Sequence, residues 1–340
     1  MISQRRISLI LISLGVLLVI SVIFATGIGG SAVVRPGDVP RVIWHHLGGP
    51  MSTSDMLDMI VWQIRLPRIA LALLVGASLA VAGALMQSLF HNPMADPYIV
   101  GVSSGAALGA VLAVTLGLQF AFAGFVTRSL FAFIGAVAVT GLVYFLSRRG
   151  GRVPIGTLLL TGIAIGGLMS AITSLLLMQW RPDDMRMVIM WLMGSLAGRD
   201  WAAVFSLLPY TFIGVTIAVL WRRELNIMAL GDETAHHLGV NLERTRMLIL
   251  VVASMLAAAA VAVSGVIAFI GLIVPHLMRL LVGPNHRQLI PACIIGGGLL
   301  LIWADVLAQV IIPGAEIPIG IVTSALGCPF FLYLLQRQRV

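Results

Sequence analysis

Gly101-Val102-Ser103-Ser104-Gly105 has the G-x-S-x-G spacing that raises a serine nucleophile on a sharp strand-to-helix turn. That chemistry needs a preceding strand and histidine and aspartate partners. Here the pentapeptide lies in an apolar run. With Gly109 its glycines fall four apart, as do Gly162 and Gly166, a spacing that lets membrane helices approach closely. Helix packing is the better account. His276, Arg279 and Asp305 are the remaining polar groups in or beside apolar runs, and an ionisable group at membrane depth is a functional candidate by default. His276 and Arg279 fall near the end of a run, which favours a local structural role over substrate contact. Asp305 precedes Gln309 by one helical turn, so each can satisfy the other, and no proton relay is assigned.

Absences narrow the chemistry further. All 21 basic residues are arginine. Without lysine there is no Walker A phosphate loop and no Schiff-base catalysis. Cys293 and Cys328 each lie in an apolar run and read as buried thiols, not as a disulfide or metal framework. The sequence therefore predicts no catalytic residue, no metal site and no cofactor. If ATP drives this protein, another subunit hydrolyses it.

The elements that position these residues are set by composition. Apolar residues make up 59% of the 340 and charged residues 10%, with a mean hydropathy of +1.05; a soluble chain is about a quarter charged. The apolar runs match the roughly 20 residues a helix needs to cross a bilayer, whereas barrel strands would be shorter and alternating. The expected fold is an all-α polytopic membrane protein, one transmembrane domain over 1–340. Its ten spans lie at 7–26 and near 69–89, 98–117, 122–146, 157–178, 201–221, 247–266, 268–282, 290–311 and 319–335. The eighth should be short and broken, because it contains Pro275, His276 and Arg279. Residues 27–64 read as an external segment in which Pro36, Pro40 and Pro50 break any helix. Ten spans put both termini on one side. With that side inside, thirteen of the arginines are cytoplasmic, among them Arg149, Arg152, Arg222, Arg246 and Arg339, and the other eight are offset by eight acids. The positive-inside rule then makes both termini cytoplasmic.

Arg222 to Arg246 is a polar island between two apolar halves. Asn226 to Leu230 reads as a short helix stopped by Gly231. Asp232 then caps a second, which carries Glu233 in its first turn and ends at Gly239. Such short helices are unstable alone in water, so they need a surface, and Leu225, Met228, Leu230, Leu238 and Val240 supply apolar contacts. Two readings stand: a solvated connection between spans, or a docking platform for a cytosolic partner.

Four stretches together carry a resemblance: 61–109 with RLPR and HNPMADP, WLMGSLAGRDW (191–201), LGDETAHHLGV (230–240), and 264–335 with FIGLIVPH and EIPIG. In this order and spacing they resemble the FecCD-type permease family of ABC importers for iron-siderophore complexes, haem and vitamin B12. The resemblance covers nearly the whole chain. It implies a type II importer permease fold, a homodimer of ten helices per subunit in the cytoplasmic (inner) membrane. Two cytosolic ATPase subunits would sit beneath it, and a periplasmic or lipid-anchored substrate-binding protein above. Membrane lipid surrounds such a dimer; no nucleic acid is involved.

The resemblance also assigns roles. Residues 222–246 become the cytosolic coupling loop, with Leu225, Met228, Leu230, Gly231, Asp232, Glu233, Ala235, Leu238 and Gly239 meeting the ATPase. Arg65 and Arg68 at the external start of the second span would receive glutamates of the binding protein through planar guanidinium contacts; taken alone, two such arginines read as interfacial snorkels. Where the family often has a third arginine, this sequence has Gln309. Two prolines bracket Met94 in a stiff turn, and the resemblance makes Asn92, Met94, Ile155 and Gly156 the cytoplasmic gate near the dimer axis. The implied cargo is a bulky iron chelate, a ferric siderophore or haem, with vitamin B12 as the alternative. An ion-coupled secondary carrier would need intramembrane carboxylates or broken-helix ion sites, and Asp305 is the single candidate.

Overall fold

A computed structural model describes residues 4–28, 34–35, 37–46, 56–118, 120–122, 125–148, 150, 153–180, 182–312 and 314–337. Pro36 and Pro50, and Arg149, Arg152 and Arg339 of the charge argument, lie outside these residues. The chain begins with α1 (Gln4–Gly27) and α2 (Asp38–His46). Next, α3 (Met56–Met59) runs through a π-helical turn, Ile60–Arg65, into α4 (Leu66–Leu89). A 3-10 turn, Pro97–Val100, leads to α5 (Val102–Thr115). The two-residue strands β1 (Ala121–Phe122) and β2 (Phe125–Val126) pair as a small hairpin before α6 (Thr127–Ser147). Then follow α7 (Ile155–Leu177), α8 (Pro182–Leu192), α9 (Trp201–Leu220), α10 (Arg222–Met228), α11 (Asp232–His237), α12 (Leu242–Ser264), α13 (Ile270–Val282), α14 (His286–Val310) and α15 (Ile319–Arg337).

Eight stretches among the described residues are long and apolar enough to cross a membrane: α1, the unit Met56–Leu89, α6, α7, α9, α12, α14 and α15. With the shorter apolar helices α5 and α13, they account for the ten expected spans. Four expectations need correction. Pro40 does not break the external segment, because it falls in the first turn of α2, where its missing N–H would have had no partner anyway. The thirteenth helix is not broken at Pro275 but runs through it. Gly101 is not inside a membrane helix; it is the left-handed cap (φ 86°) between the 3-10 turn and α5, so no strand precedes Ser103. Cys293 is buried, but Cys328 is exposed.

The core is built on α4. In the unit containing it, 83% of the most apolar window is buried, with 78% in α12 and 72% in α14, against 11% in α7. Glycine makes this centre possible. A β-carbon on Gly76 would stand 2.2 Å from the Gly297 carbonyl oxygen of α14, and one on Gly83 1.8 Å from that of Gly271 in α13. Such backbone-to-backbone contact gains dispersion where lipid offers no hydrophobic drive. The 105/109 spacing read from sequence works the same way, with Gly105 against Gly135 and Gly109 against Phe131 of α6. Ser78 and Thr211 add a buried hydrogen bond of 2.8 Å between α4 and α9.

Candidate functional site

The bundle has two polar ends. At one end, α9 leads directly into α10, and α11 follows; this is the platform end. Leu225, Met228 and Ala235 are fully buried and Val240 nearly so. Leu230 and Leu238 are instead 64% and 55% exposed. Of the expected contacts, then, one set seats the platform on its own chain and the other faces outward. Gly231 (φ 102°) and Gly239 (φ 82°) both need positive φ, and no atom lies within 4 Å of a β-carbon built on either. Glycine serves the backbone there, not crowding. One detail differs from the sequence reading. Gly231, not Asp232, is the N-cap of α11, and the Asp232 carboxylate is instead drawn to Arg246 of α12. Glu233 is exposed in the first turn of α11.

Neutral hydrogen bonds hold α10 to the bundle. The Asn226 side-chain oxygen accepts from the His286 backbone N–H at 2.8 Å and faces His286 Nδ1 at 2.9 Å. That contact puts the ring proton on Nδ1, while Nε2 lies 2.7 Å from the Ser88 hydroxyl of α4. The Asn226 amide donates to Asn285, the N-cap of α14, at 3.0 Å. His91 Nε2 lies 3.0 Å from the Met228 carbonyl oxygen. Deeper in, Pro275 has no N–H for the carbonyl of Gly271, one turn back. The Gln87 amide takes that role, donating to Gly271 and Leu272 carbonyls at 3.3 and 3.2 Å, and its oxygen accepts from Arg279 at 2.8 Å. Arg279 is thus tied to Gln87, and His276 contacts Phe330 edge-on at 6.0 Å between ring centres. The Asn226–His286–Ser88 chain was not read from sequence. Its signal is faint: Asn285 precedes an apolar run as a cap does.

The turn after α4 lies at this same end. Asn92 Oδ1 accepts from the Met94 N–H at 2.9 Å, and Asp96 caps the 3-10 turn by accepting from the Tyr98 N–H at 2.9 Å. Burial pushes the Asp96 carboxyl up to about 6. Tyr98 donates to the Ile267 carbonyl at 3.0 Å, so the turn is as stiff as its prolines predict. Ile155 and Gly156 open α7, with Ile155 lining a small cavity beside Leu89, Tyr144 and Leu250. One chain thus carries the four expected gate residues on two elements, the turn and the start of α7.

The opposite, arginine end is charged. Arg68 grips Asp305 of α14 bidentately, at 2.8 and 3.0 Å, and Glu316 at 3.0 Å. Gln309 donates to the same Asp305 carboxylate at 2.8 Å, as its spacing predicted. The Arg68–Asp305 pair was missed, being 237 residues apart in sequence. Arg65 is only 9% exposed and donates to the Thr26 carbonyl, at the end of α1. Both guanidinium groups are thus already engaged within the chain.

Comparison with known proteins places this arrangement. The model of the FecCD transport family matches residues 16–337. The chain is similar to the cobalamin import system permease protein BtuC of Halobacterium salinarum, 46% identical over 84% of this chain and 76% of that one. It is similar also to the hemin transport system permease protein HmuU of Yersinia pestis, 41% identical over 96% of both. Among solved structures it resembles a metal-chelate type ABC transporter in an inward-facing conformation, with a TM-score of 0.81, 32% identity, and coverage of 96% of this chain and 99% of that one.

Proposed function

This chain belongs to the FecCD transport family and is an ABC importer permease of that type; on that premise we propose that it carries a bulky iron chelate, a ferric siderophore or haem, across the cytoplasmic membrane. Cobalamin is the alternative cargo, and the relatives' names allow either. In this reading the platform end is cytosolic, with both termini, and a homodimer stands on two ATPase subunits that do the hydrolysis. The substrate-binding protein docks on the other face, at Arg65, Arg68 and Gln309. Asn92, Met94, Ile155 and Gly156 of two subunits meet near the dimer axis as the gate. Residues of α7 support that arrangement: Ser170 and Ser174, one turn apart in its second half, are both exposed, as suits a wall of a watered path rather than lipid.

The observation that carries the reading is the two-sided platform. An apolar inner face is sealed against the chain, two leucines are left outward, and two glycines set its angles. A loop that only joined two spans would have no reason to be held so firmly.

Leu238→Asp and Gly231→Val test it in membranes. The first puts a charge where an apolar groove is expected; the second forces a branched side chain into positive φ, at about 1 kcal/mol or more. Both variants should insert as dimers yet lose the ATPase on copurification or lose transport-coupled hydrolysis. Uptake into vesicles driven by a proton gradient without ATP, unaffected by either change, would sink the reading in favour of an ion-coupled carrier.

A further inference from the structure

A second pair of guanidinium groups at the arginine end makes no ion pair with a carboxylate among the described residues. Arg128 lies in the first turn of α6 and Arg199 in the loop that enters α9. Trp201, two residues on, donates to the Trp62 carbonyl at 2.8 Å, which fixes this loop at the end where Arg65 lies. The Arg128 guanidinium carbon stands 5.6 Å from the centre of the Trp191 ring. Three donors here, Nε of Arg128, Nε of Arg199 and Nε1 of Trp191, are buried with no hydrogen-bond partner among the described residues. Trp191 as a whole is 5% exposed.

Each cation is placed against its own interest. Arg128 is at a helix N-terminus that no side chain caps, where the dipole repels positive charge. Burial, and after it the charge of Arg128, hold Arg199 below the usual arginine range. The adjacent acid offers partial relief, because Asp200 Oδ1 is turned to the Ala203 N–H, 3.2 Å away, as the cap of α9. The loop is also stiff. Gly194 and Gly198 take positive φ, Ser195 donates its N–H to the Ser264 carbonyl at 2.7 Å, and Gly194 accepts from Ile319 at 2.9 Å. Buried donors without acceptors among the described residues, one of them on a braced loop and two on helix ends, are what a site for a negative ligand looks like before the ligand arrives.

We propose that Arg128, Arg199 and the Trp191 indole N–H form a receptor for an oxyanion, a carboxylate or phosphate group borne by the cargo as it enters from this end. Guanidinium groups match the planar carboxylate fork, and the Trp191 face orients one of them. Because the donors are buried, they admit a small anionic group more readily than a side chain on the flat face of a docked protein. The cargo assignment rests on the importer reading; the oxyanion site itself does not.

Citrate is the probe, added to the full chain in nanodiscs at constant ionic strength. It should raise the thermal midpoint saturably in the wild type and not in Arg128→Gln or Arg199→Gln. Without citrate, both variants should unfold at the same or a higher temperature, since each removes a half-buried cation whose Nε has no acceptor among the described residues; a lower midpoint would make these residues structural and overturn the proposal. So would a citrate effect that is absent from the wild type or survives in the double variant. In proteoliposomes with ATPase and binding protein, the variants should slow uptake of ferric citrate about 10-fold or more, the worth of one charge-assisted contact. Uptake of a cationic hydroxamate chelate of ferric iron should not change. Equal slowing of both chelates would overturn the cargo assignment. The same holds if inorganic phosphate matches citrate while uptake is untouched, or if phosphatidylglycerol vesicles abolish the citrate effect, since a free anion or a headgroup would then be the ligand. Citrate binding with no ATP-dependent uptake of any chelate would sink the importer reading and leave the receptor standing.

Discussion

At the arginine end, contacts between distant helices are made by charge, with Arg68 on Asp305 and Glu316. At the platform end, α10 is tied to α14 by neutral groups, Asn226 to His286 and Asn285, and His286 continues to Ser88 of α4. Charged pairs are strong where buried, but exposed ones exchange partners and respond to salt. Neutral hydrogen bonds are weaker and directional, and they hold geometry regardless of ionic strength. On the proposed function, the first suits a face that captures and releases a binding protein, and the second suits a platform that must move with the bundle.

Asp305→Ala should break this contrast most severely. Asp305 is 5% exposed at its side chain, and removing it strands Arg68, keeping only half-exposed Glu316 as a partner. Breaking a buried pair costs about 3 kcal/mol or more. The loss should appear in the thermal midpoint at low and high salt alike; a loss below about 1 kcal/mol would mean that water reaches the pair.

Asn226→Leu comes next. It leaves the His286 N–H and ring donor buried without an acceptor, at about 1–3 kcal/mol. The change should be independent of salt, and coupled ATPase activity should fall more than membrane levels do. Unaltered coupling would mean that α10 is held by Leu225 and Met228 packing alone.

Glu316→Gln should matter least. Its side chain is 50% exposed, so the loss of its ion pair should cost no more than about 1 kcal/mol and vanish in high salt. A larger, salt-resistant effect would put Glu316 with Asp305 as a structural partner and erase the proposed distinction between held and exchangeable charge.

Much of this was legible in the chain. The ten apolar runs located the spans, because each backbone polar group in lipid must be satisfied within its own helix. Gly231 and Gly239 located the bends of the platform, because their positive φ is a local demand. The Asp305–Gln309 bond follows from helical spacing. A local rule also misled: Asp232 has the type of a cap, but Arg246 competed for its carboxylate, and Pro40 has the type of a breaker, but it fell in a first turn.

Three features were decided only by tertiary structure. Arg68 meets Asp305 and Asn226 meets His286 across 237 and 60 residues of sequence, and no local spacing encodes such meetings. Gln87 repairs the carbonyl freed at Gly271 only because α13 lies against α4. Which helices are central was unreadable as well: α7 is as apolar as the core helices, yet 11% of its most apolar window is buried, against 83% in the unit that contains α4. In a soluble protein an apolar stripe would have told them apart. In a membrane the outward face is apolar too, so the sequence settles where each helix crosses, while contact with other helices settles which way it faces.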